Sequence, residues 1–202
     1  MFSHTLSSSS ATRCEHTVID VYHGIIRVIG SFVRYRRDLL VATLPQLVST
    51  LRRLVRLLAR LQPELGASQM RFAVNRTPQW IEPNEPLGKD EAATLARLLV
   101  SLQVKTVVRL QHGADKAESL ARPLSIHAPY ILLEYLETVS DPLTTIPIEL
   151  YRELEPGLFA LCAMSSIHAR DAIMVSLVDP GQKSALKTLW KDYEKQKYSG
   201  KD

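Results

Sequence analysis

Apolar residues recur at steps of three and four along most of this chain, and strict alternation is scarce. The stretch 15–36, EHTVIDVYHGIIRVIGSFVRYR, puts Val18, Val21, Tyr22, Ile25, Val28, Ile29 and Phe32 on that period and predicts a helix. Gly24 and Gly30 weaken it by about 1 kcal/mol each relative to alanine, or serve to let another helix approach. A second helix is predicted over 38–61, with Pro45 kinking it or opening its main segment and Thr43 as a nearby cap. Its apolar face is Leu47, Val48, Leu51, Leu54, Val55, Leu58 and Leu61. Full burial of each such side chain is worth roughly 1.5–3 kcal/mol, so this face decides the fold.

Residues 62–87 hold Pro63, Pro78, Pro83 and Pro86 with few periodic apolar positions, which predicts a long loop. A helix then starts at Asp90, in DEAATLARLLVSLQ, with acids in the turn where the helix dipole favours them. The polar stretch 112–123 reads as another loop or a marginal turn of helix. In SIHAPYILLEYLETV, Ser125 is the expected cap and Pro129 fits the first turn. DPLTTIP is a turn. IPIELYRELEPGLFALCAM is helical on both sides of Pro156, which is expected to restart the helix. HARDAIMVSL follows. DPGQKSALKTLWKDYEKQKY has Asp179 at the cap and Pro180 at the first helical position, with Leu186, Leu189, Trp190 and Tyr193 as its apolar stripe.

These elements predict an all-α protein of about six or seven helices packed as antiparallel neighbours, an α-solenoid-like block. Residues 1–14 are expected to be a disordered leader and 15–202 a single helical domain with a proline-rich loop at 62–87. At 202 residues the chain buries enough surface to fold without disulfide or metal. Cys14 and Cys162 lie far apart and form no CxxC pattern, so both read as reduced thiols. No run of about 18 apolar residues predicts a membrane span.

The net charge of +4 conceals a gradient. Residues 1–62 carry nine Arg, no Lys and three acids, whereas 126–202 carry eight basic and eleven acidic residues. Four of those arginines, Arg52, Arg53, Arg56 and Arg60, fall off the apolar face of the second helix. Such a row reads either as a solvated face or as a track for phosphates, giving affinity that is blind to sequence and weakened by salt. Arg34, Arg36 and Arg37 add to the field, and Tyr35 alone among them supplies an aromatic ring. The partner so predicted is structured RNA or an acidic protein surface.

Signals for chemistry are weak. The nucleotide-binding glycine motifs, GxSxG and HExxH are absent from the sequence. His16, Asp20 and His23 share a helix face at ligand-like spacing but have no third strong ligand nearby, so a polar surface trio is the expectation. His127 reads as a packed histidine, and His168 with Asp171 as a helix start. Cys162 sits in an apolar stripe and reads as inert. Glu149, Glu153 and Glu155 read as a solvated helix face. No catalytic residue, metal or cofactor is called for. The alternatives are a helical protein-binding adaptor without RNA contact and a metal-dependent enzyme on the His16–Asp20–His23 face.

Three stretches of the C-terminal third, HAPYILLEYLE, LEPGLFALCAM and VSLVDPGQKSALKTLWKDYEK, resemble in order and spacing the C-terminal domain of a nucleolar family. It is the fungal unhealthy ribosome biogenesis protein two family, also called nucleolar preribosomal-associated protein two. The positions carrying the likeness are His127, Tyr130, Glu134 and Tyr135; Pro156, Gly157 and Leu161; then Leu177, Gly181, Leu186, Leu189, Trp190, Asp192 and Tyr193. The resemblance implies that these define the fold and that none is catalytic. Two features depart from the pattern: Ile126 stands where a basic residue commonly precedes the histidine, and YSGKD replaces a basic, aromatic tail. The resemblance further implies a helical-repeat scaffold in early large-subunit assembly and pre-rRNA processing, located in the nucleus and nucleolus. Its implied partners are a sister nucleolar scaffold, a DEAD-box RNA helicase and pre-rRNA, with no membrane and no small-molecule substrate.

Overall fold

The computed structural model describes residues 7–75, 87–108 and 116–199. Ten helices and four short strands occur among them: α1 Ser7–Tyr35, α2 Arg37–Ala42, α3 Leu44–Leu57, β1 Arg60–Leu61, α4 Ala67–Asn75, α5 Lys89–Gln103, β2 Thr106–Val108, β3 Lys116–Glu118, α6 Ala121–Leu124, α7 Ala128–Ser140, β4 Thr144–Thr145, α8 Ile148–Met164, α9 Ile167–Ser176 and α10 Pro180–Ser199. The all-α class holds. Cys14 and His16 lie in α1 ahead of Val18, the first residue whose side-chain environment is described.

The most extensive packing joins helices far apart in sequence: α5 lies along α8, α3 along α7, and α1 along α5. A solenoid packs each unit on its sequence neighbours. This chain instead interleaves its first half with its second, and α10 closes over α7 and α8. The apolar stripe of α3 is buried, including Leu51, Leu54 and Val55. It meets the buried face of α7, with Ile131, Leu132 and Leu136.

Where local expectation and structure differ, a specific contact decides. Pro156 does not restart a helix; α8 runs through it from Ile148 to Met164. A proline inside a helix costs about 3 kcal/mol. Leu150, Leu154, Leu158 and Leu161, all fully buried along α8, return several times that. Pro156 and Arg152, whose carbonyl loses its partner, both face solvent. Gly157 then makes the α5 contact possible: a Cβ there would lie 2.8 Å from the Ala96 Cα and 3.0 Å from Leu99 Cδ1.

Pro45 sits in the first turn of α3 and opens it, but Thr43 supplies no side-chain cap. Its hydroxyl donates back to the Leu39 carbonyl at 2.8 Å. Ser125 behaves the same way, donating to the Arg122 carbonyl at 2.7 Å and so ending α6 rather than capping α7. Asp179 caps α10 as expected, accepting from the Gly181 and Gln182 amides at 3.2 and 3.1 Å. Within the expected 62–87 loop, the proline-free segment Ala67–Asn75 is helical, started by Gln69 accepting from the Gly66 amide at 3.2 Å. Residues 76–86 lie outside the described ones. Of the 112–123 stretch, residues 112–115 lie outside the described ones; the rest contains β3, paired antiparallel with β2, and most of the short helix α6, the turn of helix that is one of its two readings. The second predicted helix ends at Leu57, and Leu61 pairs with Thr144 in a two-stranded contact instead.

Candidate partner-binding surface

The four arginines do not form one row. Arg52 and Arg56 project from α3 toward α7, where Glu134 receives them both. Arg52 donates from Nε and Nη2 to Glu134 Oε2 at 3.0 and 2.8 Å, and Arg56 Nη1 reaches Oε1 at 3.3 Å. The Glu134 side chain is 7% exposed, while those of Arg52 and Arg56 are 41% and 47% exposed. A carboxylate this deep needs paired charge, because an unpaired one loses several kcal/mol of hydration. Here both oxygens are held, and the outer flanks of the guanidinium groups stay wet.

Arg53 lies further round α3, on its solvent side. It is exposed and lines an open depression of about 370 Å³ with Gln46, Ser49 and Thr50, the polar face of α3. Arg60 is not on the helix. It lies in β1 opposite Thr145, half buried, with Nη2 donating to the Leu87 carbonyl at 3.4 Å and a buried Nε that has no partner. Its place is therefore at the joint between β1 and the start of α5.

The motif positions in the C-terminal third have structural surroundings. His127 is half buried at the start of α7, its amide donating to the Leu124 carbonyl at 2.8 Å. Tyr130 is exposed. Tyr135 is buried, and burial chiefly, with Tyr151 and Glu155 nearby, pushes its phenol above the usual tyrosine value. Leu161, Leu177, Leu186, Leu189 and Trp190 are core residues. Trp190 meets Tyr193 edge-on at 5.9 Å, and Tyr193 in turn meets Phe159 at 6.1 Å, which ties α10 to α8. Asp192 pairs with Lys195 at 3.2 Å. Gly181 leaves room for the Asp179 cap, whose Oδ2 would lie 3.0 Å from an added Cβ.

Several of the described titratable groups are taken up by structural contacts. His23 Nε2 meets Glu91 Oε1 at 2.8 Å, joining α1 to α5, and Glu91 Oε2 accepts from the Gly88 amide at 2.7 Å. Among the described residues no group of three His, Cys, Asp or Glu is placed to hold a metal. Cys162 is a buried free thiol, and burial pushes it up to about 12, so it stays protonated at neutral pH. Glu149 and Glu153 face solvent, whereas Glu155 accepts from Tyr151, which burial and that carboxylate push up to about 12. His168 is exposed in the first turn of α9, whose cap is Ser166, accepting from the Ala169 amide at 3.1 Å. Asp171 pairs with Arg170 at 3.0 Å. No single described helix is long and apolar enough to cross a membrane.

The Glu134 clamp eluded sequence reasoning, although one signal for it exists. Glu134 falls among Ile131, Leu132, Tyr135 and Thr138 on the buried face of α7, and a carboxylate there demands a cation from another element.

No curated protein and no solved structure is similar enough to match this chain. A family model described as the Urb2/Npa2 family matches residues 1–201, nearly the whole length. The chain therefore belongs to the Urb2/Npa2 family and shares that family's role in ribosome biogenesis.

Proposed function

We propose that this chain is a non-catalytic scaffold domain of early large-subunit assembly that acts in the nucleolus and presents α3 to the pre-ribosomal particle. The observation that carries this reading is Arg53, exposed beside the wet flanks of Arg52 and Arg56 on one helix. Glu134 cancels one of these charges, so the face keeps a positive excess toward phosphates or an acidic protein. Arg60 takes part through the joint it holds at Leu87. Structural use of Glu91, Glu134 and Cys162 supports a holding role over a chemical one. The expected company is a sister nucleolar scaffold, a DEAD-box helicase and pre-rRNA.

Reversing all four charges would test two things at once, since Arg52 and Arg56 also hold Glu134. Arg53→Glu alone isolates the surface. The tagged Arg53→Glu chain is expected to lose most of its co-purifying pre-ribosomal RNA and protein while its helical circular dichroism is unchanged. Retention at the wild-type level rejects α3 as the contact. A protein-only adaptor is the second reading, favoured by the commitment of two arginines to the fold. Wild-type association that survives ribonuclease treatment selects it, and association lost with the RNA selects the RNA-bound scaffold.

A further inference from the structure

A second cationic surface lies away from the Glu134 clamp. The groove between α1 and α5 has a volume of about 440 Å³. Its walls are two seams at helical spacing: Ile26, Gly30 and Val33 on α1, and Thr94, Leu98 and Ser101 on α5. Ile26, Val33 and Leu98 make an apolar floor, while Gly30 keeps the middle open, with nothing within 4 Å of a Cβ placed there. Steps of four and three on both walls are the footprint into which a third helix lays its side chains.

The rim is cationic. Arg27 and Arg34 stand two turns apart on α1, about 10.5 Å along the axis. Arg97 stands opposite on α5, its Nη2 donating to the Thr94 hydroxyl at 2.9 Å. All three are exposed, and no carboxylate among the described residues lines the groove. Arg37 closes one end, held by the Val33 and Val104 carbonyls at 2.8 and 3.0 Å. Exposed Tyr35 and Val104 extend the apolar surface at that end.

We infer that this groove binds an amphipathic helix of a partner protein, with an aliphatic seam on the Ile26–Val33–Leu98 floor and flanking carboxylates paired to Arg27, Arg34 and Arg97. A nucleic-acid strand fits less well. It gains from stacking on aromatic faces, and Tyr35 is the one aromatic ring here, whereas the aliphatic floor offers a base nothing to stack on. The inference stands apart from the α3 reading, because none of its residues contacts Glu134 or lies on α3.

The test uses three fluorescent probes on the full chain: a helical peptide of about 18 residues, or five turns, with a leucine seam flanked by glutamates; its twin flanked by lysines; and a stem-loop RNA. The glutamate peptide is expected to bind saturably and at least about tenfold tighter than the lysine twin. The Arg27→Ala/Arg34→Ala/Arg97→Ala variant should weaken it about tenfold. Gly30→Leu, which plugs the groove from a position with free space, should abolish it while circular dichroism stays unchanged. No saturable binding of the glutamate peptide overturns the inference, as does equal binding of the two peptides. RNA binding that these variants remove overturns it too and makes the groove a phosphate site. Arg53→Glu should leave peptide binding at the wild-type level, which separates this outcome from failure of the α3 reading.

Discussion

The α3–α7 contact and the α1–α5 groove begin from the same material, exposed-looking arginines at helical spacing beside leucine, valine and isoleucine. They end differently because of one residue. Across from Arg52 and Arg56 stands Glu134, buried to 7% exposure, and it draws both guanidinium groups into the fold. Across from Arg27, Arg34 and Arg97 no carboxylate stands among the described residues, which is what the proposed acidic helix would use. A basic stripe is thus an incomplete statement about a surface. What matters is whether the facing element buries an acid against it, since desolvated carboxylates recruit any cation in reach.

The largest test of this contrast breaks the clamp from its wet side. Arg52→Ala/Arg56→Ala leaves Glu134 buried and unpaired, and should cost about 3 kcal/mol, the low end for a broken buried pair because the arginines are half exposed. The midpoint of urea unfolding measures it. The equivalent double change Arg27→Ala/Arg34→Ala should move that midpoint by less than about 0.5 kcal/mol. Equal losses at the two places would erase the distinction.

The next effects compare seams. On the face of α8 that packs α5, Gly157→Ala drives a methyl to within 2.8 Å of the Ala96 backbone. Overpacking should outweigh the helix-propensity gain and cost about 1–2 kcal/mol, read as a lowered Tm. The protein's buried tyrosines and thiol also carry a pH signature. Cys162 and Tyr151 are both held up near 12 in the folded state, against ordinary values of 9.0 and 10.0. Tyr22 and Tyr135 are raised as well, mainly by burial. The folded protein therefore keeps protons that the unfolded chain sheds. Their stabilisation is complete below about pH 9 and is lost as pH rises from 9 toward 12. At pH 10 the thiol alone should cost about 1 kcal/mol relative to pH 8, and Cys162→Ala should flatten that slope. The last effect has the opposite sign. Gly30→Ala meets nothing within 4 Å, so it should stabilise by about 0.5–1 kcal/mol, visible as a raised Tm.

Much of this was legible in the letters. The Leu47–Leu58 stripe and the Asp179–Pro180 start of α10 were readable because their signals are local, a period or a cap spanning a few residues. Thr43 and Ser125 send nearly the same cap signal, yet their hydroxyls turn back to the preceding helix. One residue type serves both bonds, and neighbouring geometry chooses. Pro156 looked like a boundary because its penalty is local, while the burial that overrides it comes from α5. Helix α4 was hidden because the prolines around it outweigh nine residues with a weak apolar face. Arg60 looked like one more turn of the arginine row, but α3 stops at Leu57, where the Tyr22 hydroxyl donates to the Leu54 carbonyl at 3.2 Å. A helix end satisfied from another element leaves no mark in its own sequence.

By itself the sequence determined the helical class, most of the helices and the family, since all three rest on the order and spacing of residues along one dimension. The tertiary structure alone decided which arginines are structural and which are free, and which helices meet. Those outcomes depend on residues 32 to 82 positions away, such as Tyr22 on Leu54, His23 on Glu91 and Arg52 on Glu134. Buried charge and close packing act over a few ångströms of space, and only the folded chain sets those distances.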